Sequence, residues 1–97
     1  RAVTSARVLE EYETDRGWSF RIALQREPDE PSTEHEMTLS WVDHDHWTGG
    51  AVPPSRLAER LLVIVARRQA DLPPRFDAAR ARRWVPDLDD LLSSAHG

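Results

Sequence analysis

The residues best suited to chemistry are the alternating carboxylates and imidazoles of Asp43-His44-Asp45-His46, with His35 upstream. Carboxylate and imidazole together form a donor set for zinc and other divalent ions. In an extended chain His44 and His46 would share one side, whereas the two aspartates would face the other. Metal sites need three or four ligands, so the pattern favours a solvated loop in which Asp43 caps a turn. We therefore predict no metal and no cofactor here, and a metal-binding or hydrolytic domain using this loop is kept as an alternative.

Signatures of catalysis are missing from the rest of the sequence. It contains no Cys and no G-x-S-x-G, Gly-rich phosphate loop or H-E-x-x-H motif. Glu10 is the only carboxylate that the strand pattern places on an apolar face, and an edge-strand Glu that reaches water is the ordinary case. We predict no catalytic residue and no enzymatic activity.

Two groups of residues are candidates for binding a partner. Trp47 lies beside Gly49-Gly50 in the polar loop, and Trp is enriched among binding hot spots. The alternative is that it folds back as a lid over the start of the next helix. The second group is a set of C-terminal arginines that could form a basic patch for nucleic acid: Arg67, Arg68, Arg75, Arg80, Arg82 and Arg83. The net charge of −4 instead favours their pairing with nearby aspartates: Asp77, Asp87, Asp89 and Asp90.

Length and charge limit the organisation of the chain. The 97 residues predict one domain, 1–97, with a sheet half at 1–50 and a helical half at 51–97. The first half is acidic and the second is mostly basic. No apolar run reaches the roughly 20 residues that span a bilayer. With no Cys and no stretch typical of a signal peptide, we predict a cytoplasmic protein without membrane contact, although a longer parent chain is possible.

Alternating apolar residues between 6 and 41 predict three strands in an antiparallel meander, with Trp41 on the core face. Residues 14–17 resemble a turn with Gly17 in the left-handed position. That turn sets Tyr12 opposite Phe20 on the core face, and it also places Glu10 opposite an apolar residue there. We therefore expect the first strand to be an edge.

The longest apolar pattern predicts one buried helix from Pro53 to Ala70, with Ser55 as its cap and Leu61 at the middle of a wide apolar arc. Val63 falls on the polar side between Glu59 and Arg67. Short helices are predicted at 76–81, capped by Asp77, and at 87–92.

The C-terminal run Phe76-Asp77, Ala81 and Trp84-Val85-Pro86, together with the strand residues His35, Met37 and Leu39, resembles a group of small uncharacterised bacterial proteins. Their signature is F-D-x3-(aliphatic)-x2-(aromatic)-x-P, and the similarity covers residues 34–90. The sequence departs from it at Ala81, where a larger aliphatic residue is usual, and in the longer Asp/His loop. The resemblance implies a compact α+β domain and no assigned function.

The sequence thus predicts an α+β domain, in which a three-stranded antiparallel sheet packs on one long helix and on short C-terminal helices. We predict a small non-enzymatic protein–protein interaction domain or accessory subunit of a bacterial complex, with a protein partner or a second copy as its target. The candidate partner-binding residues are Trp47, Arg60, Val63 and Arg67. A nucleic-acid-binding module using the Arg-rich C-terminal half is a further alternative, which the net charge disfavours.

Overall fold

A four-stranded sheet with helices on one face forms the framework of the fold. The computed structural model describes residues 4–94. The strands follow one another across the sheet and are β1 (Ser5–Glu13), β2 (Gly17–Gln25), β3 (Thr33–Ser40) and β4 (Arg75–Asp77). The helices are α1 (Trp41–Thr48), α2 (Pro54–Arg68), a short 3-10 helix (Ala78–Arg80), α3 (Ala81–Trp84) and α4 (Leu88–Ser94). The predicted α+β fold is confirmed.

Strands β1 to β3 form the predicted antiparallel meander, and β4 adds to β3 in parallel. The assignment of Phe76 and Asp77 to a helix is wrong, because both belong to β4, where Phe76 pairs with Met37 in the core. Asp77 nevertheless acts as a cap, since its side chain accepts a hydrogen bond of 3.0 Å from the amide of Ala79. The predicted last helix is confirmed as α4, with Leu88 and Leu92 buried.

The core lies between the sheet and α2. Alternate residues of β2 and β3 are buried on one face, and the opposite face carries mainly polar, solvent-exposed side chains. Helix α2 contributes most of its predicted arc: Leu57, Ala58, Leu61, Leu62, Val65 and Ala66. It contacts the sheet as well as α1 and α3, so it joins the two halves of the chain. Within residues 4–94, no helix is both long and apolar enough to span a bilayer.

The predicted register of the first hairpin is wrong, because the pairing next to the turn is shifted by one residue, with Glu13 opposite Trp18, and a β-bulge between Val8 and Glu10 shifts it once more. A one-residue shift moves side chains to the opposite face of a strand. Tyr12 pairs with Ser19 and is 54% exposed, not buried opposite Phe20. Glu10 likewise leaves the apolar face and is hydrogen-bonded to Arg21 on the solvent side. The prediction that the first strand is an edge is confirmed.

Gly17 is required by the sheet and not by the turn. Its φ is not positive, whereas Gly49 and Gly50 have positive φ values. A Cβ on Gly17 would lie 2.0 Å from the carbonyl oxygen of Leu39 and 2.8 Å from Cα of Ser40. Only glycine therefore allows β2 to approach β3 this closely.

The predicted Asp/His loop is a helix, α1, and Trp41 begins it. Ser40 is the cap, because its Oγ accepts a hydrogen bond of 3.0 Å from the amide of Asp43. The helix ends at Gly49, which has a φ of 62°. Since the chain turns out of the sheet at Trp41, this side chain is 51% exposed and not in the core as predicted.

The ends of α2 also differ from the prediction. Ser55 is not the cap, since the cap position belongs to Pro53 and carries no side-chain hydrogen bond. At the other end Arg26 donates hydrogen bonds of 2.5 Å to the carbonyl of Ala66 and 3.0 Å to that of Gln69. A guanidinium at this end satisfies carbonyls that lack helical partners and complements the helix dipole.

Candidate functional site

The histidines of the candidate metal loop have other partners. Nε2 of His44 lies 2.6 Å from the carbonyl oxygen of Val52, which only accepts, so this nitrogen donates. Nε2 of His46 lies 3.8 Å from a carboxylate oxygen of Asp89. His35 contacts the carbonyl oxygen of Pro73 at 3.0 Å through Nδ1. Within residues 4–94, no three or more His, Asp or Glu side chains gather closely enough to hold a metal ion.

Trp47 is a core residue in this structure, only 1% exposed. Its Nε1 donates a hydrogen bond of 2.5 Å to Oδ1 of Asp89 in α4. The guanidinium carbon of Arg82 lies 4.6 Å from the centre of the indole ring. Trp47 is therefore withdrawn as a candidate binding residue, because its burial leaves no ring surface for a partner. Its contacts instead join α1 to the C-terminal segment.

Several C-terminal arginines are paired within the chain, as the charge pattern predicted. Arg82 lies 3.0 Å from Asp89, and Arg68 lies 2.6 Å from Asp87. Arg75 pairs instead with Glu36 of β3, at 3.2 Å. These contacts leave fewer guanidinium groups to contact a nucleic acid from this part of the surface.

The contacts of Asp89 predict a loss of stability in acid. The hydrogen bond from Trp47 and the neighbouring Arg82 hold the pKa of Asp89 below its ordinary value of 3.8. A lowered folded-state pKa stabilises the protein above the unfolded-state value, and this stabilisation is lost as the pH falls through the folded-state value. We expect the urea-unfolding free energy to fall between pH 5 and pH 2.5, and to fall less in Asp89→Asn. An identical pH dependence in both proteins would contradict this assignment.

The polar side of α2 carries a row of four residues, which we name the arginine stripe: Arg56, Arg60, Val63 and Arg67. Their spacing of four, three and four residues keeps them on one side of the helix. The stripe borders a groove of about 410 Å³ that lies between α2 and the beginning of β1, where Ser5 and Ala6 line it. Arg60 and Val63 are half-buried, and Arg67 is exposed. The structure thus brings together three of the four candidate partner-binding residues and separates Trp47 from them.

The three arginines of the stripe lack carboxylate partners. Among residues 4–94, no Asp or Glu lies within 4.0 Å of the guanidinium nitrogens of Arg56, Arg60 or Arg67. Glu59 lines the same groove, but its Oε2 accepts a hydrogen bond of 2.9 Å from the backbone amide of Val8. The groove therefore presents positive charge beside an apolar surface.

The second half of β1 has the opposite charge. Beyond the bulge, Glu10, Glu11 and Glu13 are all exposed, as are the apolar side chains of Leu9 and Tyr12. No strand lies beside this edge in the sheet of residues 4–94. The two halves of β1 therefore differ: the first borders a basic groove, and the second is an exposed acidic edge of the sheet.

Comparison of the chain with protein-family models, curated proteins and solved structures found no match.

Proposed function

We propose that this protein is a protein–protein interaction domain that binds an acidic segment of another protein in the groove between β1 and α2. The observation that carries the proposal is the arginine stripe, whose three guanidinium groups lack carboxylate partners beside the apolar side chain of Val63. Other arginines of the chain, such as Arg21 and Arg68, are ion-paired.

Acidic side chains suit this groove for geometric and chemical reasons. A guanidinium presents a planar fork that matches a carboxylate in two parallel hydrogen bonds. From Arg56 to Arg67 the helix rises about 16 Å, since each residue adds about 1.5 Å. An extended chain of about five residues covers that distance. The methylenes of its acidic side chains would lie against Val63 and Ile64, which both line the groove.

Two other occupants fit the groove less well. A nucleic-acid backbone would place phosphates, which carry no methylene groups, against the apolar Val63 and Ile64 that line the groove. A second copy that pairs through the same first half of β1 would bring two arginine stripes towards each other, since the stripe borders that half of the edge. Repulsion between like charges opposes this arrangement.

The test is a fluorescence-polarisation titration with a labelled eight-residue peptide of alternating Glu and Thr, capped at both ends. We expect saturable binding that weakens as salt is added, since exposed charge pairs are screened. Arg60→Glu is expected to weaken binding about tenfold or more, because it replaces an attraction with a repulsion. A tenfold loss corresponds to about 1.4 kcal/mol of binding free energy. A peptide with Lys in place of Glu is expected not to bind.

The matched control is Arg83→Glu, which makes the same change of charge at an exposed position of α3. It is expected to bind the acidic peptide as the parent does. Equal losses in both variants, or tighter binding of single-stranded DNA than of the peptide, would contradict the proposal. Light scattering that shows a dimer in the parent and a monomer in Arg60→Glu would favour a second copy as the occupant.

A further inference from the structure

The geometry points to strand addition: the acidic segment binds as an extra strand along the first half of β1, and the carboxylate of Glu59 occupies its place in the free protein. This inference rests on the proposed function and specifies the conformation of the bound partner.

The contact between Glu59 and Val8 is the first argument. β1 is an edge strand, and the backbone amide of Val8 donates to Oε2 of Glu59 at 2.9 Å. In a sheet, such an amide would donate to the carbonyl of a neighbouring strand. The side-chain oxygen therefore satisfies a backbone group that an added strand would otherwise satisfy, and a strand carbonyl could take its place.

The bulge restricts where a strand could be added. Regular pairing along β1 is interrupted between Val8 and Glu10, and bulges protect sheet edges from pairing. Beyond it, Glu10 and Glu11 would repel an acidic segment. The first half of β1, from Ser5 to Val8, has neither obstacle. The charge of the strand and its geometry thus select the same half.

The arginine stripe accounts for the acidic character of the added strand. Ser5 and Ala6 line the groove together with Arg60 and Arg67, so a chain beside this half of β1 lies next to the stripe. Alternate side chains of an extended chain point to the same side. Acidic residues at every second position would therefore all face α2, while the residues between them face the open side of the sheet.

Glu59 opposes binding in two ways under this arrangement. Its carboxylate competes for the amide of Val8, and its negative charge lies in the groove that receives the acidic segment. Glu59→Ala is therefore expected to bind the Glu–Thr peptide about fivefold more tightly, in line with the loss of one close like-charge pair. Glu59→Gln, which keeps an acceptor for Val8, is expected to show the smaller gain that comes from removing the charge alone.

The decisive experiment uses two N-methylated forms of the same peptide with the 97-residue chain. One form is methylated at the odd residues and the other at the even residues, so only one of them blocks the amides that face β1. We expect one form to bind about tenfold more weakly or worse, and the other to bind as the parent peptide does. The two forms have the same charge, so the difference reports on backbone pairing.

The outcomes separate this inference from the proposed function. Equal binding by both forms and the parent, with the loss in Arg60→Glu retained, would overturn strand addition and leave the acidic-segment function standing. Equal weakening of both forms would also overturn it, because a strand presents only one set of amides to its neighbour. Absence of binding by the unmethylated peptide would overturn the proposed function itself. No gain in either folded Glu59 variant would overturn the role assigned to Glu59.

Discussion

Trp47→Ala is expected to lower the free energy of unfolding by about 3–5 kcal/mol, the usual cost of truncating a fully buried Trp. The side chain is 1% exposed, and its loss removes the hydrogen bond to Asp89 and the surface beneath Arg82. Those contacts join α1 to α3 and α4, so we expect the C-terminal segment to loosen as well. Urea unfolding followed by far-ultraviolet circular dichroism measures the change.

Trp41→Ala is the matched control, because it deletes the same side chain six positions earlier, at a site that is 51% exposed. It is expected to cost much less, since substitutions at exposed sites usually change stability by only about 0.5 kcal/mol. Similar losses in the two variants would contradict the placement of Trp47 in the core. An unchanged stability in Trp47→Ala would restore it as a candidate binding residue.

Leu61→Ala is expected to cost about 2–5 kcal/mol through lost burial and the cavity that it leaves. Leu61 is 0% exposed and lies near the middle of α2, which contacts the sheet as well as α1 and α3. Domains of this size have total stabilities of only about 5–15 kcal/mol, so the substitution removes a large share. The midpoint of thermal unfolding should fall by many degrees.

Val63→Ala provides the comparison within the same helix. Val63 is half-buried in the groove and outside the core cluster, so a loss below about 1 kcal/mol is expected. A melting temperature of Leu61→Ala within a degree or two of the parent would contradict the central position of α2. The pair therefore distinguishes core packing from an effect of helix propensity.

The elements that the sequence predicted well are those with long, regular patterns. Helix α2 was predictable because Leu61 and its neighbours repeat with the helical period and Pro53-Pro54 marks the start. The meander was predictable from alternation in β2 and β3. The details of β1 were not, because the pairing is one residue off at the turn and shifts again at a bulge between Val8 and Glu10, and neither shift has a signal in the residue types.

Two local errors have different causes. The helix α1 had a signal in Ser40, whose position three residues before Asp43 is a helix-capping pattern. The Asp/His alternation of residues 43–46 was interpreted as a loop instead. Strand β4 had no such signal, because three residues are too few to show a period and their pairing with β3 depends on a long-range contact.

The candidate site was partly predictable. The helical period alone places Arg60, Val63 and Arg67 on one side of α2, and an apolar residue there is unusual. The groove itself depends on how the helix lies over β1, and the contact of Glu59 with Val8 joins residues that are 51 positions apart. Burial of Trp47 likewise depends on α4, so its residue type alone suggested a role that its position does not support.

The most direct test of the acidic-segment proposal is an amide NMR titration of the parent protein with the Glu–Thr peptide. The proposal predicts saturable shifts at residues 5–8 and along 56–67, with little change at 41–42, where Trp41 and Val42 form another exposed apolar pair. Shifts confined to residues 41–42 or to α3 and α4, or no saturable shifts at all, would contradict the proposal.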